Sequence, residues 1–439
     1  MKRLIGCLVF AIMTMGGWAE DNKTEPYSAE LVKKAEEGDA YAQYRLGQCY
    51  QMGNGVAKDE KKAFEWYTKS AEQGNAHGQY NKLGRCYRIG IGVAENEKKA
   101  FEWYTKSAEQ GNAHGQYRLG NFYREGVGVA KDEKKAFEWF TKSAEQGDAR
   151  GQCYLGWCYR DGIGIAKDEK KAFEWFSKSA EQGDADGQIN LGECYDGAKG
   201  VSRDEKKAFE WYTKSAEQGN AFGQQKLGYA FESGKGVSRD EKRAFEWYTK
   251  SAEQGNAYGQ NRLGWAYESG IGVSKDEKKA FEWYKKSAEQ GNVTGQYVFG
   301  RCHLKGIGVA KDERKAFEWF TKSAEQGNPN GLIGIAWILA TSDDPKKRNG
   351  KEAVKLAQKA IEKFNKPDPY ANSVLAAAYA EQGNFEMAVT TQEKAISVLT
   401  DKSREKDFQA ELKAYRENKP WRNEESINSQ SSANPQQNP

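Results

Sequence analysis

The chain has 439 residues, a formal net charge of +4, and hydrophobic and aromatic fractions of 38% and 13%. The hydrophobic fraction is below the globular average and the aromatic fraction is high, so large rings must fill much of the core. The small net charge excludes a strong bulk attraction to nucleic acid or acidic membranes. Beyond the first residues, no stretch approaches the roughly 18 apolar residues of a membrane helix.

The first 19 residues have the pattern of a secretory signal peptide. Two basic residues follow Met1, an apolar stretch runs from Leu4 to Met15, and Gly17-Trp18-Ala19 is a small-x-small cleavage site. We therefore expect residues 1–19 to be removed and the mature chain to be periplasmic or secreted. In an alternative interpretation Cys7 is the lipidated residue of a lipobox, which leaves only a short apolar segment.

One segment, Lys-Ala-Phe-Glu-Trp-Tyr, recurs nearly unchanged along most of the chain. Its phenylalanine stands at Phe64, Phe101, Phe137, Phe173, Phe209, Phe245, Phe281 and Phe317, which gives a spacing of 37 once and 36 thereafter. The longer first spacing comes from one extra residue, Asn81 or Lys82. A fixed period of this length indicates an array of repeats that stack on one another.

Each repeat reads as a pair of helices. In the first copy, Asp39 is a typical N-cap for a helix over 40–52, and Asp59 is the N-cap of a second helix that runs to Gln73. Gly74 is placed to end that helix in a left-handed conformation. The fold class predicted from this pattern is all-α, with helix hairpins repeated along the chain.

The first helix of the repeat has two different sides. Positions equivalent to Ala40, Gln43, Leu46, Gly47 and Tyr50 hardly change between copies, so they form a packing framework. Positions that change freely fall within about 120° of the helix, and we call them the variable arc: they are the equivalents of Tyr41, Tyr44, Arg45, Gln48, Gln51 and Met52.

The pattern Ala-x-Gly-Gln-x-x-Leu-Gly-x-x-Tyr, followed by Gly-x-Gly-Val and Asp-x-x-Lys-Ala-Phe-Glu-Trp-Tyr, closely resembles the Sel-one-like repeat (SLR) of the tetratricopeptide-like superfamily. The resemblance implies a right-handed α/α superhelical solenoid that acts as an adaptor, with the first helices on its concave side. It covers eight repeats over residues 39–327. We expect a lead-in at 20–38, a tetratricopeptide-like capping region at 328–422 and a disordered polar tail at 423–439.

Charge changes sign along the variable arc. Basic residues dominate repeats one to four and acidic residues dominate repeats five to seven, with aromatic rings among them. Arg, Trp and Tyr are enriched at binding hot spots. We therefore predict that a partner binds residues Arg85, Arg88, Arg118, Arg124, Arg150, Tyr154, Trp157, Arg160, Glu193, Asp196, Tyr229, Glu232, Trp265 and Glu268.

Catalytic, metal and cofactor sites are not predicted. The three histidines lack the spacing of metal ligands, and the Gly-x-Gly turns lack the preceding strand of a phosphate-binding loop. Five cysteines share one packing column with Ala and Phe, which favours buried free thiols over disulfides. Ser403-x-x-Lys406 is the one Ser-x-x-Lys match, and no Lys-Thr-Gly accompanies it.

The leading functional hypothesis is an exported, non-enzymatic scaffold that binds a protein or an extended peptide in the groove lined by the variable arc. One alternative is a binder of an anionic envelope glycan, such as peptidoglycan or lipopolysaccharide. A third, an envelope hydrolase of the β-lactamase type, lacks a convergent set of acid, base and nucleophile.

Overall fold

A computed structural model describes residues 27–74 and 79–422, which form 22 α-helices and no strand. The helices are α1 (Ala29–Glu36), α2 (Ala40–Met52), α3 (Glu60–Glu72), α4 (Gln79–Ile89), α5 (Glu97–Glu109), α6 (Ala113–Glu125), α7 (Glu133–Glu145), α8 (Ala149–Asp161), α9 (Glu169–Glu181), α10 (Ala185–Gly197), α11 (Glu205–Glu217), α12 (Ala221–Ser233), α13 (Glu241–Glu253), α14 (Ala257–Ser269), α15 (Glu277–Glu289), α16 (Val293–Lys305), α17 (Glu313–Glu325), α18 (Pro329–Thr341), α19 (Gly350–Ile361), α20 (Pro369–Glu381), α21 (Phe385–Ser397) and α22 (Glu405–Arg416).

The predicted fold class is confirmed: the described chain is an all-α solenoid of helix hairpins. The even-numbered helices α2 to α18 are the first helices of successive hairpins, and the odd-numbered helices α3 to α19 are the second. The chain divides into two compact units between Arg203 and Asp204. None of the helices in residues 27–74 and 79–422 has the length and apolar character of a bilayer-spanning segment.

The helix ends follow from the capping residues seen in the sequence. The side chain of Asp39 accepts a hydrogen bond from the Ala42 amide at 2.6 Å, and α2 begins at Ala40 as predicted. Asp59 caps α3 in the same way through the Lys62 amide at 3.0 Å. Because α3 ends at Glu72, one residue earlier than predicted, Gln73 is its C-cap, and Gly74 follows with a φ of +76°.

A buried polar ladder joins the hairpins. Gln152 of α8 donates to the carbonyl oxygen of Ala144 in the preceding hairpin at 3.3 Å, and its own Oε1 accepts from Gln182 at 2.7 Å. Ser179 donates to the carbonyl oxygen of Ala149 at 2.7 Å. Each group is satisfied, so the ladder fixes the position of one hairpin on the next without leaving an unpaired buried group.

The recurrent phenylalanine packs against the next repeat. Phe137 meets the Tyr159 ring edge-to-face, with ring centroids 5.7 Å apart and planes at 90°. The same contact joins Phe281 to His303, at 5.4 Å and 88°, so the histidine that replaces tyrosine in this column keeps the ring contact. The phenylalanine column therefore forms contacts between neighbouring repeats.

The recurrent glycine of the first helix allows a close contact between the two helices of a hairpin. A Cβ atom added to Gly47 would lie 2.7 Å from the Tyr67 ring, well inside van der Waals contact. Tyr67 is fully buried. Gly47 therefore permits the second helix to place a large ring against the first.

Helices outside the eight recognised repeats pack on both ends of the array. Leu31 and Ala35 of α1 pack on α2, and Gln43 donates to the Ala35 carbonyl oxygen at 3.0 Å. The same ladder bond joins complete hairpins, so α1 takes the place of a preceding second helix. At the other end, α18 to α22 share one large core that includes Trp337 and Tyr415.

The structure supports the packing role of the cysteine column. Six cysteines of the described residues are buried and form no disulfide: Cys49, Cys86, Cys153, Cys158, Cys194 and Cys302. The predicted signal peptide, Cys7 and the predicted disordered tail lie outside the described residues.

Candidate binding surface on the first helices

Within each unit, the first helices of neighbouring repeats touch one another. In the first unit α4 contacts α6, α6 contacts α8 and α8 contacts α10, and in the second unit α12, α14, α16 and α18 follow in the same way. The variable arc therefore forms a continuous row of side chains along each unit. The predicted binding residues lie on these rows.

Arginines of the first unit reach forward to the next repeat. Nη2 of Arg88 lies 3.9 Å from Oε2 of Glu125, and Nη2 of Arg124 donates to Oε1 of the same carboxylate at 2.7 Å. The Arg124 guanidinium also lies over the Tyr154 ring, 4.8 Å from its centroid, and 6.0 Å from the centroid of Trp157. Such cation–π contacts hold the guanidinium in one orientation.

Arg160 is held by the next repeat as well. Its Nε and Nη2 donate to the two carboxylate oxygens of Asp161 at 2.8 Å, and its Nη1 donates to Oδ1 of Asn190 at 2.8 Å. The same Asn190 oxygen accepts from Nε1 of Trp157 at 2.8 Å. Oε2 of Glu193 lies farther away, 3.9 Å from Nη1 of Arg160. The hydrogen bonds from Arg160 lower the pKa of the Asp161 carboxyl.

These contacts bring five side chains from three repeats together. Tyr154 and Trp157 pack edge-to-face at 4.6 Å, and both are half-buried. We call this group the arginine–aromatic cluster: Arg124, Tyr154, Trp157, Arg160 and Asn190. Its rings and guanidinium groups are ordered before any partner arrives, which lowers the entropy lost on binding.

The other candidates of the first unit are not part of this cluster. Arg85 and Arg150 are exposed. Arg118 lies over the Tyr117 ring at 5.2 Å and donates through Nε to His114 at 3.2 Å. Asp196, the acidic candidate of α10, lies 4.0 Å from Arg203.

Two acidic candidates of the second unit have structural partners. Glu232 is only 3% exposed, and its Oε2 accepts a hydrogen bond of 2.5 Å from the Tyr248 hydroxyl. Glu268 accepts from the Tyr284 hydroxyl at 2.7 Å and from Nη2 of Arg301 at 2.7 and 2.5 Å. Both carboxylates therefore support the framework, so part of the predicted charge reversal serves packing.

The aromatic candidates of the second unit lie beside these carboxylates. Arg262 lies over the Tyr229 ring, 5.3 Å from its centroid, and its Nη1 is 3.9 Å from Glu232. Trp265 packs at the border of the core formed by α15 and α16. No contact of Tyr229 or Trp265 tests their predicted role in binding, which stays a prediction.

Sequence reasoning missed Asn190 and the tyrosine partners. Asn190 occupies a column that holds charged residues in most other repeats. The prediction rested on charged and aromatic residues, so it did not include the amide side chain of Asn190. A partial signal for the tyrosines was present in the repeat itself. The core ring is Tyr248 or Tyr284 where the arc carries glutamate, and Phe140 or Phe176 where it carries Arg124 or Arg160, but Arg88 stands in the same repeat as Tyr104.

Comparisons with known proteins agree with the geometry. The profile of the Sel1 repeat matches nine segments: 40–75, 80–112, 113–148, 149–184, 185–220, 221–256, 257–292, 294–328 and 331–363. The last segment lies in the region predicted as a cap, beyond the eight repeats recognised in the sequence, and corresponds to α18 and α19.

Two solved structures have the same architecture. A protective antigen of uropathogenic Escherichia coli with an SLR fold is 35% identical, covers 90% of this chain and 83% of its own, and has a TM-score of 0.60. A Sel1 repeat protein of Oxalobacter formigenes is 30% identical over 56% of this chain and 96% of its own, with a TM-score of 0.50.

Among curated proteins, a sel1-like repeat-containing protein of Acanthamoeba polyphaga mimivirus is 50% identical over 44 residues. That match spans 10% of this chain and 8% of the viral protein. Proteins built from Sel1 repeats serve in general as protein-interaction scaffolds and are typically not enzymes. With matches in nine segments and the helix-hairpin architecture of its solved relatives, the chain belongs to the Sel1 repeat family.

Proposed function

We propose that the chain is an exported, non-enzymatic scaffold that binds a protein or an extended peptide on the row of first helices in its first unit. The arginine–aromatic cluster carries the proposal. Arg, Trp and Tyr dominate binding hot spots because they combine a large apolar area with hydrogen-bonding groups. Here Asn190 orients both Trp157 and Arg160, so these groups are preorganised.

The pairing of the arginines favours a protein partner over an anionic glycan. Arg88, Arg124 and Arg160 each lie within 4.0 Å of a carboxylate, Glu125 or Asp161. These internal ion pairs reduce the free positive charge that a polyanion would use. Rings and paired guanidinium groups instead suit the mixed polar and apolar surface of a protein.

Charge reversal of the row tests the proposal. The variant R88E/R124E/R160E should lose the proteins captured by crosslinking in the native cell, because it removes both the guanidinium groups and their stacking on the rings. The matched control is K98E/K134E/K170E, which makes the same change in charge at exposed positions of the second helices.

The control should keep the capture. Equal capture by both variants and the unmodified chain would reject the row as the binding surface. Retention on purified cell wall that weakens with salt, with no protein captured, would instead favour the glycan alternative.

We also propose that residues 1–19 direct export, on the strength of the signal pattern. N-terminal sequencing of the protein from a periplasmic or culture fraction should give Glu20 as the first residue. A mature chain that begins at Cys7 and carries lipid would favour the lipobox alternative, and an intact Met1 in the cytoplasm would reject export.

A further inference from the structure

Neighbouring first helices meet at junctions that use equivalent positions of the variable arc. At the α8–α10 junction, Trp157 and Arg160 both donate to Oδ1 of Asn190 at 2.8 Å. At the α12–α14 junction the equivalent residues are Tyr229, Glu232 and Arg262. There the guanidinium group lies 5.3 Å from the ring centroid, and its Nη1 lies 3.9 Å from the carboxylate. Both junctions therefore join groups that attract one another.

The α4–α6 junction of the first unit is different, because all three of these positions are arginines. Arg85 and Arg88 of α4 are the equivalents of Trp157 and Arg160, and Arg118 of α6 is the equivalent of Asn190. The two helices touch, and the recurrent glycine of α4 faces the core ring of its hairpin as in the other repeats. Like charges therefore occupy the positions that attract one another elsewhere.

Two of these guanidinium groups contact rings and polar groups away from the junction. Arg88 lies over the Phe122 ring, 5.7 Å from its centroid, and its Nη2 is 3.9 Å from Oε2 of Glu125. Arg118 is half-buried and donates through Nε to His114 at 3.2 Å. Neither group brings a negative charge into the junction.

Arg85 and the preceding lysine of α4 have no acidic partner. Arg85 is exposed and Lys82 is half-buried, and neither forms an ion pair within 4.0 Å or a hydrogen bond with residues 27–74 and 79–422. Burial raises the pKa of Tyr104, the core ring of this hairpin, and the charges of Arg118, Arg88 and Arg85 all oppose that rise. The three positive charges therefore act on the same hydroxyl group.

Two carboxylates lie beside the junction, and both have other partners. Glu125 accepts a hydrogen bond of 2.7 Å from Arg124. Asp148 is the N-cap of α8, where it accepts from the Gly151 amide at 2.7 Å, and it lies 3.8 Å from His114. Five cations of the arc stand against these two carboxylates: Lys82, Arg85, Arg88, Arg118 and Arg124. An excess of positive charge therefore remains after the acidic neighbours are counted.

We propose that the α4–α6 junction binds carboxylates of an acidic segment of the protein partner, with Arg85 and Arg118 as the principal contacts. This inference rests on the proposed function, since it assigns the partner's chemistry on the same row of first helices in the first unit. A guanidinium group can donate two parallel hydrogen bonds to a carboxylate. A carboxylate at this junction would supply the opposite charge that the α12–α14 junction has within the chain.

The row also determines how far the acidic residues of the partner lie from its apolar residues. Packed helices lie about 8–10 Å apart, and an extended peptide rises about 3.3 Å per residue. Residues three apart in such a peptide can therefore reach neighbouring junctions. We expect glutamate or aspartate at the α4–α6 junction and an apolar residue three positions away, against the rings of Tyr154 and Trp157.

Fluorescence anisotropy with blocked, dye-labelled peptides tests the site on the full mature chain. The probes are Ser-Glu-Glu-Ser-Leu-Leu-Ser and its reverse, Ser-Leu-Leu-Ser-Glu-Glu-Ser, because a segment can run along the row in either direction. At least one probe should bind. R85M/R118M should weaken that binding by about tenfold, the loss expected when two partly exposed charge contacts are removed.

K98M/K134M is the matched control, because it removes two positive charges from exposed positions of the second helices, α5 and α7, in the same two repeats. The control should leave the affinity unchanged. Raising the salt concentration from about 0.05 to about 0.5 M should weaken binding to the unmodified chain and to the control. R85M/R118M should respond less to salt, because it lacks the contacts that salt screens.

Four outcomes would overturn the inference: neither peptide binds, the control loses as much affinity as R85M/R118M, the peptides bind equally well with Gln in place of Glu, or purified lipopolysaccharide binds more tightly through the same two arginines. The last outcome would assign the junction to a glycan. If R85M/R118M does not fold, as shown by its thermal unfolding, R85M alone carries the test, because Arg85 is exposed.

The proposed function can fail or hold separately from this site. Loss of native capture in R88E/R124E/R160E, together with a peptide affinity that R85M/R118M does not change, would reject the acidic-segment site alone. The proposed function would then still stand. Native capture that R88E/R124E/R160E leaves intact would instead reject the row, and with it the basis of this inference.

Discussion

At the scale of single residues, the turn after α10 departs from the other repeats. Ala198 has a φ of +54° at a position where the equivalent residues are glycines, such as Gly270 with a φ of +74°. A side chain in this left-handed region costs roughly 1 kcal/mol because Cβ crowds the backbone. The repeat around α10 therefore carries a local strain that its neighbours avoid.

Exchanging these residues gives a reciprocal test. A198G should raise the free energy of unfolding by about 0.5–1 kcal/mol, and G270A should lower it by a similar amount. Gly270 is a suitable partner because an added Cβ would meet nothing closer than 3.7 Å, so the conformation alone is tested. Chemical denaturation of the two variants measures both changes, and a loss of stability in A198G would contradict the argument.

A buried carboxyl near the end of the chain links stability to pH. Glu411 is 3% exposed and accepts hydrogen bonds from Ser373 at 2.5 Å and Gln392 at 2.8 Å. Burial raises its pKa from 4.5 to about 7, although both hydrogen bonds oppose this shift. Between pH 4.5 and 7 the folded protein therefore binds more protons than the unfolded chain.

The free energy of unfolding should consequently fall as pH rises through this window, by up to about 3 kcal/mol. E411Q should remove this slope, while E362Q, at an exposed position, should keep it. Thermal unfolding from pH 5 to pH 8 provides the measurement. The same slope in E411Q and the unmodified protein would assign it to other groups.

At the scale of helices, the phenylalanine column offers a matched pair. Phe137 meets Tyr159 edge-to-face in the next repeat, whereas Phe317 is 37% exposed and its counterpart position is Leu339. F137A should therefore cost about 2 kcal/mol or more of stability, and F317A less than half of that. Equal losses in denaturant unfolding would show that the ring contact contributes little.

The helices of the repeats were predictable from the sequence because side chains such as Asp39 and Asp59 cap their first turns and the period fixes the rest. One local departure lies in α4, the helix that holds the extra residue of the sequence. Near the extra residue, Ser107 donates to Oδ1 of Asn81 at 3.2 Å, whereas other repeats use a backbone carbonyl. Here the side chain of Asn81 takes the place of a backbone carbonyl oxygen as the acceptor. The spacing of residues along the sequence does not reveal such a replacement, because it depends on distances in the folded chain.

The site was only partly predictable for the same reason. The pattern placed Arg124 and Arg160 at equivalent positions on one side of their helices, since helical periodicity decides which positions share a side. It did not show that Tyr248 and Tyr284 bind Glu232 and Glu268, because those bonds cross between the two helices of a hairpin. Glu232 and Glu268 are therefore arc residues by position, but their hydrogen bonds to core tyrosines give them a structural role as well.

At the scale of the whole molecule, contacts are made between neighbouring repeats, so stability should be local. F137A should accelerate amide hydrogen exchange in α7 to α9 and leave α20 to α22 protected. Hydrogen exchange followed by mass spectrometry resolves these segments. If F137A increased the exchange rate by the same factor in every helix, the chain would instead unfold as a single cooperative unit.

The glutamine and serine ladder has a consequence for how such a chain can change its length. Gln152 and Ser179 bind main-chain atoms, another ladder glutamine and the capping carboxylate of Asp184, and none of these partners belongs to the variable arc. The glutamine bond to the preceding hairpin recurs in the hairpins that begin with α6, α8, α10, α12 and α14, so these hairpins share one connector. A hairpin of this kind can be duplicated, deleted or exchanged as a unit. The chain then gains or loses recognition surface, while the same hydrogen bonds join the new neighbours.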